Sequence, residues 1–505
     1  MFQIIDNFLN KITMYRLMLY CLSFLWAIGL IFSFFGIMPF DPLNLIFSLF
    51  LILIFSLLIN RIFSWLFKTH SNVESTYITA LILALIIGPE KSLNGFLFLI
   101  FVSAIAIASK YLLAINKKHI FNPAAFAVVV SAYVVNYYPS WWIGDKHMII
   151  FVLLLGILIV IKLQRTDLVL SFLIVFIITS SGFTTSWQQI FSLVKDSLSY
   201  SPILFFAFIM LTEPATTPPT RKLRIIYGSL VALLIAPFVH ISSVYFVFES
   251  ALVLGNVFSY LVSPKEKLIL KLKEKIKIAQ NTYDFVFPIR QKLKFQPGQY
   301  MEWTLPAQKN DSRGQRRYFT IASSPTEQEI KIGVKFYENP SSFKKALQSL
   351  NKGDEVVAGQ LAGEFTLPND KNKKLVFVAG GIGVTPFRSM VKYLTDNNEK
   401  RDIIIFYAAK TYGDIAYKEI FEEAQNKLGI KTVYVLSDAK GAPKGFNCET
   451  GFLTKEIIFK NVKDFQERKF YISGPKSMID SFKITLKEMK VRKNNIKTDF
   501  FPGYA

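Results

Sequence analysis

The chain has 505 residues, of which 52% are hydrophobic, and its mean hydropathy is +0.35. This composition excludes a disordered chain and an ordinary soluble enzyme, and the length predicts roughly three domains. The net charge is +22, and the two cysteines are too few for a disulfide scaffold, an iron–sulfur cluster or a Cys₄ zinc site.

Residues 1–263 consist mainly of long apolar runs, whereas the remaining residues have an ordinary soluble composition and carry +16 of the net charge. A membrane-spanning helix needs about 20 predominantly apolar residues. We predict a polytopic α-helical membrane domain of about ten helices, in which three short or interrupted segments lie inside the protein and line a site. Those three are 76–89, 121–138 and 201–213; the other seven are 15–38, 43–60, 94–114, 147–163, 167–185, 224–240 and 244–263.

Lysine and arginine are concentrated in alternate loops between these segments, and such loops stay on the cytoplasmic side of a membrane. The sequence therefore predicts a multi-pass protein of the cytoplasmic (inner) membrane, with the bilayer as a partner. Both termini and the soluble half are expected in the cytosol. Eight spans would give the same orientation, so the number of membrane-spanning helices is less well determined than the side of the membrane on which the soluble half lies.

Two polar, proline-containing motifs interrupt the apolar pattern. The first is Phe121-Asn122-Pro123-Ala124-Ala125-Phe126, and the second runs from Thr212-Glu213-Pro214 through Thr216 to Thr220. Proline removes a backbone donor, and irregular backbone at membrane depth is tolerated only inside protein or beside a cavity. Glu213 is costly there without a partner, which makes it a functional-site hypothesis. Ordinary helix ends that terminate at proline explain the pattern equally well.

These two motifs resemble the signature segments of the RnfD/NqrB family, the related membrane proteins of the Rnf electron-transport complex and of the sodium-translocating NADH:quinone reductase. The resemblance implies a membrane fold that binds flavins and moves electrons between cytosolic and extracytosolic carriers. It also implies that Asn122, Glu213 and Thr216 contact a second flavin, either FMN or riboflavin. The family's Gly-Glu-Thr-Ser stretch for covalent FMN is absent. We interpret the nearest analogue, Ser181-Gly182-Phe183-Thr184-Thr185, as a Ser/Thr-rich loop.

The soluble half divides into two patterns. Residues 264–367 contain closely spaced short strands with turn signals such as Gln296-Pro297-Gly298, which predicts an antiparallel β-barrel. Residues 368–505 alternate strands with helices, which predicts a parallel α/β sheet. In the latter, a buried strand runs into Gly380-Gly381-Ile382-Gly383-Val384-Thr385, a turn that presents backbone N–H groups to a pyrophosphate. Alone, this turn is weak evidence, because a structural turn looks the same.

Four further segments, in order, accompany the glycine turn: Arg317-Tyr318-Phe319-Thr320, Ser341-Ser342, Ser473-Gly474-Pro475-Lys476-Ser477-Met478 and Asp499-Phe500-Phe501-Pro502-Gly503-Tyr504. Together they resemble the ferredoxin–NADP⁺ reductase family over residues 265–505. The resemblance implies FAD in the barrel and a nicotinamide dinucleotide on the parallel sheet.

The same resemblance assigns a role to each matching residue. Thr320 near flavin N5 and Ser473 near the nicotinamide are the expected catalytic residues; Ser473 stands where the family commonly has Cys. The expected FAD contacts are Arg317 on the diphosphate, Phe319 on the isoalloxazine ring, Ser342, and Phe501 or Tyr504 as a cover. The expected contacts of the dinucleotide are Gly380, Gly381, Gly383, Thr385, Gly474, Pro475 and Met478.

The first functional hypothesis is a membrane flavoprotein that takes hydride from cytosolic NADH or NADPH onto FAD. Its electrons would pass through the membrane flavin to a quinone or an extracytosolic flavoprotein. Lys410 follows the second strand of the sheet and is a candidate for reading a 2′-phosphate, but a single lysine on a lysine-rich surface is usually solvated, so the choice of nucleotide stays open.

Two alternatives compete with this hypothesis. A haem-based reductase needs paired histidines inside helices, whereas all four histidines are predicted in loops or at helix ends. The second alternative is a membrane-tethered reductase whose membrane half is mainly an ion or small-molecule transporter. Nothing in the sequence indicates a metal site or nucleic-acid binding.

Overall fold

The computed structural model describes residues 8–9, 12–68, 73–116, 118–182, 186–199, 202–242, 244–263, 267–289, 293–305 and 316–499. The chain forms two compact units. The first unit comprises Met1–Lys267, and the second comprises Leu268–Asp311 and Gln315–Ala505.

The first unit is helical. Its helices are α1 (Met14–Phe34), α2 (Pro42–Leu66), α3 (Val73–Ile86), α4 (Leu93–Leu112), α5 (Pro123–Val134), α6 (Ile149–Leu163), α7 (Thr166–Ser181), α8 (Trp187–Ser199), α9 (Ile203–Phe205), α10 (Arg221–Leu234) and α11 (Phe248–Val262). A π-helical turn, Phe206–Met210, continues α9. Two short hairpins also occur, β1 (Ala114–Ile115) with β2 (Lys118–His119), and β3 (His240–Ile241) with β4 (Val244–Tyr245).

Side-chain caps fix where several of these helices begin. Asp41 accepts hydrogen bonds from the backbone N–H of Leu43 at 2.8 Å and of Asn44 at 3.0 Å, and Pro42 is the first residue of α2. Asn122 caps α5 in the same way, since its Oδ1 accepts from the N–H of Ala125 at 3.0 Å. Both helices follow the pattern of a polar cap and then proline, which satisfies donors that the helix itself leaves open.

Within the described residues, three helices, α1, α2 and α4, are long and apolar enough to cross a membrane by length and composition. Two of the three segments expected inside the protein are buried over most of their length, at residues 79–86 of α3 and at 203–210. The third, 121–138, is buried only in its first half, which includes Ala124 and Ala125, whereas Tyr133, Val134 and Tyr138 are exposed. Gly228 allows a close approach of α10 to α7, because a Cβ there would lie 2.7 Å from the carbonyl oxygen of Leu168.

Two features of this unit differ from the prediction. Helix α8 lies between two predicted apolar segments, in a stretch that we expected to be a loop. That expectation arose because the charged and amide side chains of this stretch lower its hydropathy. The predicted helix over 201–213 is irregular: the N–H of Leu211 donates to the carbonyl of Phe206 at 2.9 Å, a π-type bond that widens the last turn before Glu213.

The second unit begins with two antiparallel sheets that together form the predicted barrel layer. One has the strand order β10-β7-β6 and the other β5-β11-β8-β9. The strands are β5 (Leu268–Lys271), β6 (Glu274–Ala279), β7 (Thr282–Pro288), β8 (Tyr300–Thr304), β9 (Arg316–Thr320), β10 (Glu329–Lys335) and β11 (Glu355–Ala362); helix α12 (Ser342–Ser349) lies between β10 and β11.

A six-stranded parallel sheet follows, in the order β15-β14-β13-β12-β16-β17. Its strands are β12 (Leu375–Gly380), β13 (Ile403–Ala409), β14 (Lys431–Leu436), β15 (Cys448–Thr450), β16 (Lys469–Ser473) and β17 (Ile496–Asp499). The helices between them are α13 (Thr385–Asp396), α14 (Lys418–Leu428), α15 (Lys455–Asn461) and α16 (Lys476–Glu488). Every residue of β12 is buried, as expected of a central strand covered on both faces.

Candidate functional site

The parallel sheet has a crevice at the carboxyl ends of β12 and β16. These strands are neighbours in the sheet, although three other strands separate them in the chain, and Ala379 pairs with Ser473 at their ends. After β12 the chain adds β13, β14 and β15 on one side of this strand, and it then returns to add β16 and β17 on the other side. Ligands of open α/β sheets bind at such a switch point.

Two loops meet at this crevice, and their close contact explains the glycines. A Cβ on Gly383 would lie 2.5 Å from the carbonyl oxygen of Ser473, and one on Gly380 would lie 2.4 Å from the Sδ of Met478. Gly381 has φ +51°, the left-handed conformation that favours glycine. The structure therefore brings together the residues predicted to hold the dinucleotide.

Helix α13 begins at this loop and points its amino-terminal end into the crevice. Thr385 is its first residue, and the Thr385 hydroxyl donates to the carbonyl of Ile382 at 3.3 Å. The first N–H groups of a helix lack intrahelical partners and attract phosphate oxygens. This loop and helix therefore form a cradle suited to a pyrophosphate.

The predicted FAD-binding residues converge on Phe343 in the neighbouring barrel. Arg317 and Phe319 alternate along β9 and so share one face of the strand. The Arg317 guanidinium carbon lies 5.2 Å from the centre of the Phe343 ring, and the Phe319 ring centre lies 5.9 Å from it. Phe343 belongs to α12, which Ser341 caps, and Ser342, an expected FAD contact, is the first residue of this helix.

Thr320 ends β9, is buried, and lies opposite Tyr300 of β8. Tyr318, between Arg317 and Phe319, donates its hydroxyl to Glu302 of β8 at 2.9 Å, and Arg316 lies 3.2 Å from the same carboxylate. These contacts bind β9 firmly to β8 and so hold the Arg317 to Thr320 segment in place.

The far side of the crevice contains a carboxylate to which the sequence pattern assigns no role. Asp499 ends β17 directly opposite Ser473 of β16. Burial raises the pKa of Asp499 to about 7, and burial lowers the pKa of neighbouring Lys497 to about 8. The predicted covers Phe501 and Tyr504 lie outside the described residues. Lys410 is exposed just beyond the end of β13.

The two motifs of the first unit meet at a cleft. Asn122 and Glu213 both line it, and it holds about 550 Å³ of empty space, part of which is open to the surroundings. The remaining lining residues are Met14, Tyr15, Met18, Ser75, Ile78, Thr79, Ile82, Pro123, Ala124, Leu163, Ile209 and Pro214. The structure therefore brings together two segments that lie far apart in the sequence.

Both carboxylate oxygens of Glu213 have polar neighbours. Thr216 donates its hydroxyl to one oxygen at 3.3 Å, and the Nε2 atom of His119 lies 3.6 Å from the other. Thr216 is thus beside Glu213 rather than among the residues that line the cleft. His119 was missed, although it stands three residues before Asn122 in the sequence.

A buried hydrogen-bonded chain fixes Asn122. Its backbone N–H donates to Oδ1 of Asn256 at 2.7 Å, and its amide Nδ2 donates to the carbonyl of Met210 at 3.4 Å, in the π-helical turn. Asn256 in turn donates to the hydroxyl of Tyr227 at 2.9 Å. Asn256 and Tyr227 were also missed, although an asparagine inside an apolar helix is a recognisable signal. The residues 183–185, considered for a covalent flavin, lie outside the described residues.

Comparison with known families agrees with the geometry of the second unit. Residues 269–366 match the oxidoreductase FAD-binding domain, and residues 377–483 match the oxidoreductase NAD-binding domain.

Several curated proteins are similar over this region. The glycine betaine monooxygenase reductase subunit of Chromohalobacter salexigens is 28% identical over 42% of this chain and 59% of its own length. The flavohemoprotein of Oceanobacillus iheyensis is 27% identical over 41% of this chain and 51% of its own. The propane 2-monooxygenase reductase component of Mycolicibacterium goodii is 26% identical over 42% and 60%. A solved Amycolatopsis cytochrome P450 reductase is 21% identical, with a TM-score of 0.41, and covers 46% of this chain and 69% of that one.

The chain thus spans little more than half the length of the curated relatives it matches. The FAD-binding and NAD-binding domains lie in its carboxyl-terminal half. The second unit is therefore an NAD(P)H-dependent FAD oxidoreductase module.

Proposed function

We propose that this protein is a membrane flavoprotein oxidoreductase. It takes hydride from cytosolic NADH or NADPH at FAD in the second unit. It then passes electrons through a flavin-binding transmembrane unit to a membrane or extracytosolic acceptor. The observation that carries the proposal is the presence of a nucleotide crevice in one unit and, in the other, of a mostly apolar cleft into which the predicted residues Asn122 and Glu213 converge.

The residues of the second unit fit FAD and a nicotinamide dinucleotide. FAD supplies acceptance of a hydride and release of single electrons. Arg317 would hold its diphosphate, since a planar guanidinium suits phosphate oxygens, and Phe319 would lie against its ring. Gly380, Gly381, Gly383 and the amino-terminal end of α13 would hold the pyrophosphate of NAD(P)H. Gly474, Pro475 and Met478, which lie close to Gly380 and Gly383 across the crevice, would flank the nicotinamide.

For the first unit, we propose a second flavin, FMN or riboflavin, at the cleft near Asn122, Glu213 and Thr216. Three facts support this: the two motifs resemble those of the RnfD/NqrB family, they converge on one cleft, and buried hydrogen bonds fix Asn122 within it. Glu213, held by Thr216 and His119, would orient toward a polar ring edge. The three long apolar helices support placement in the cytoplasmic membrane.

The names of the similar proteins are relevant to what accepts electrons from the FAD of the second unit. Two are named as the reductase subunit or reductase component of a monooxygenase, and these names imply a partner that accepts electrons. In this chain we propose that the first unit takes the partner's place as the immediate acceptor. A quinone or an extracytosolic flavoprotein would then receive the electrons.

Flavin analysis of the full chain in detergent tests the proposal. We expect FAD and a second flavin in the wild-type protein, and FAD alone in N122A and E213A. Leu58→Ala on the exposed face of α2 is the matched control and should keep both flavins. A wild-type protein that holds only FAD would contradict the second flavin and favour the alternative, a tethered reductase whose membrane half transports ions or small molecules.

A further inference from the structure

The interface between the barrel and the parallel sheet is polar and buried, and it attaches to both cofactor-binding segments. Ala322 and Ser323 follow the FAD-binding strand β9 directly. The Ala322 carbonyl accepts from Arg388 at 3.2 Å, and the Ser323 carbonyl accepts from the Ser389 hydroxyl at 2.7 Å. Arg388 and Ser389 lie one turn into α13, the helix that begins at the pyrophosphate cradle. The two cofactor segments are therefore connected through these hydrogen bonds.

The Arg388 side chain is buried, with the residue only 5% exposed, and makes a two-pronged ion pair across this interface. Its NH2 group donates to Oε1 of Glu327 at 2.9 Å, and its NH1 group donates to the other carboxylate oxygen. Glu327 also accepts from the backbone N–H of Ser324 at 2.6 Å, next to the FAD-binding segment. Burial alone would raise the pKa of Glu327, but the hydrogen bonds and charge of Arg388 hold this pKa below its ordinary value.

A second contact lies beside the first. The Tyr417 hydroxyl, in the turn before α14, donates to Oδ1 of Asp284 on β7 at 2.5 Å. The guanidinium carbon of Arg388 lies 5.6 Å from the centre of the Tyr417 ring. Gly333 of β10 makes room, because a Cβ there would lie 2.5 Å from that hydroxyl and 2.9 Å from Cγ2 of Thr385. Burial raises the pKa of Asp284, and the hydrogen bond from Tyr417 offsets part of this effect.

A purely stabilising role does not account well for these contacts. Desolvation offsets most of the attraction within a buried ion pair, so a pair such as Arg388–Glu327 adds little net stability compared with apolar packing. A two-pronged arginine–carboxylate pair does fix distance and orientation. Hydride transfer needs reacting atoms about 3–3.5 Å apart, so it depends on that kind of placement.

We propose that Arg388, Glu327, Tyr417 and Asp284 are positioning residues that set the distance between the FAD-binding barrel and the NAD-binding sheet for hydride transfer. This inference rests on the proposed NAD(P)H-to-FAD reaction. None of the four needs to touch either cofactor. They act through the Ala322–Ser323 segment on one side and through α13 on the other.

Stopped-flow reduction of FAD in the full chain, with NADH and NADPH and with their 4-deuterated forms, tests this inference. We expect Glu327→Gln to retain FAD but to reduce it about tenfold to a hundredfold more slowly, since a misplacement of about 1 Å has this effect. The primary isotope effect should be fully expressed, because hydride transfer itself becomes slow. Tyr417→Phe should slow the same step, in the same direction.

Asp402→Asn is the matched control. Arg468 donates to both carboxylate oxygens of Asp402 at 2.7 and 3.0 Å. This is the same kind of two-pronged arginine–carboxylate pair as Arg388–Glu327. This pair joins the amino-terminal ends of β13 and β16 within one domain, away from the crevice. We expect a rate close to that of the wild-type protein.

Three other results would contradict either the positioning role or the proposed function. FAD reduction within twofold of wild type in both Glu327→Gln and Tyr417→Phe would overturn the positioning role. Loss of FAD from both variants would overturn it as well, since the cluster would then serve folding. A wild-type protein whose FAD neither nucleotide reduces would instead overturn the proposed function, and this result is distinct from the other two.

Discussion

Asp499 is a residue at which protonation and the stability of the second unit are coupled. It lies opposite Ser473 at the crevice, and burial raises its pKa to about 7. An unfolded aspartate has a pKa near 4, so between pH of about 4 and 7 the unfolded chain releases a proton that the folded chain keeps. Stability from this group is therefore greatest at low pH, falls across that window and is constant above it.

We predict that Asp499→Asn removes this pH dependence. The temperature at which FAD fluorescence increases on heating the full chain should fall between pH 5 and 7 in the wild-type protein and stay more nearly level in the variant. Asp480→Asn, at an exposed position on α16, is the control and should behave as the wild type does. Equal slopes in Asp499→Asn and wild type would contradict the assignment.

Among individual residues, the sequence best indicated those that act together with residues close to them in the sequence. Gly380, Gly381 and Gly383 form a local turn whose spacing is visible in the sequence, and the four accompanying segments made it specific for a pyrophosphate cradle. Phe343, which contacts both Arg317 and Phe319, was missed because it comes from a helix that follows after another strand. Tyr417 and Asn256 were missed for the same reason: their partners lie far along the chain, and only packing brings them together.

At the scale of elements, the crevice depends on how closely the loops after β12 and β16 approach. We predict that Gly383→Ala forces these loops apart, because its Cβ would lie 2.5 Å from the Ser473 carbonyl. Such overpacking costs about 1–3 kcal/mol of stability. NAD(P)H-driven reduction of FAD should slow while FAD stays bound, since the FAD-binding barrel is untouched.

Gly413→Ala is the control for this substitution. A Cβ there meets nothing closer than 3.7 Å, and its φ is not positive. Reduction kinetics of both variants, measured beside their thermal unfolding, check the prediction. Gly383→Ala with wild-type kinetics would show that the two loops do not act together on the dinucleotide.

The existence of most elements followed from hydrophobic patterns, while their ends did not. The segment expected at 244–263 is helical only over Phe248–Val262, since its first residues pair in the β3–β4 hairpin. The segment expected at 201–213 is interrupted by a π-helical turn. Pro214 has no N–H to donate to the Met210 carbonyl, which accepts a hydrogen bond from Asn122. Hydropathy measures burial over a window, so it cannot detect hydrogen bonds that end or widen a helix.

At the scale of the whole molecule, the sequence indicated two parts of different physical character, and the structure has two compact units. The second unit is an oxidoreductase module with FAD-binding and NAD-binding domains. The flavin of the first unit, its place in the membrane and the final acceptor stay predictions, because they depend on partners that packing within one chain does not specify.

The most direct test of the central claim is electron transfer across a bilayer. Proteoliposomes selected for second units facing outward are loaded with ferricyanide, which cannot cross the membrane, and NADH or NADPH is added outside. We expect the trapped ferricyanide to bleach, and we expect this bleaching to be lost in N122A and E213A although both variants still reduce an external dye. Rapid reduction of the external dye by the wild-type protein, with no bleaching inside, would contradict this claim.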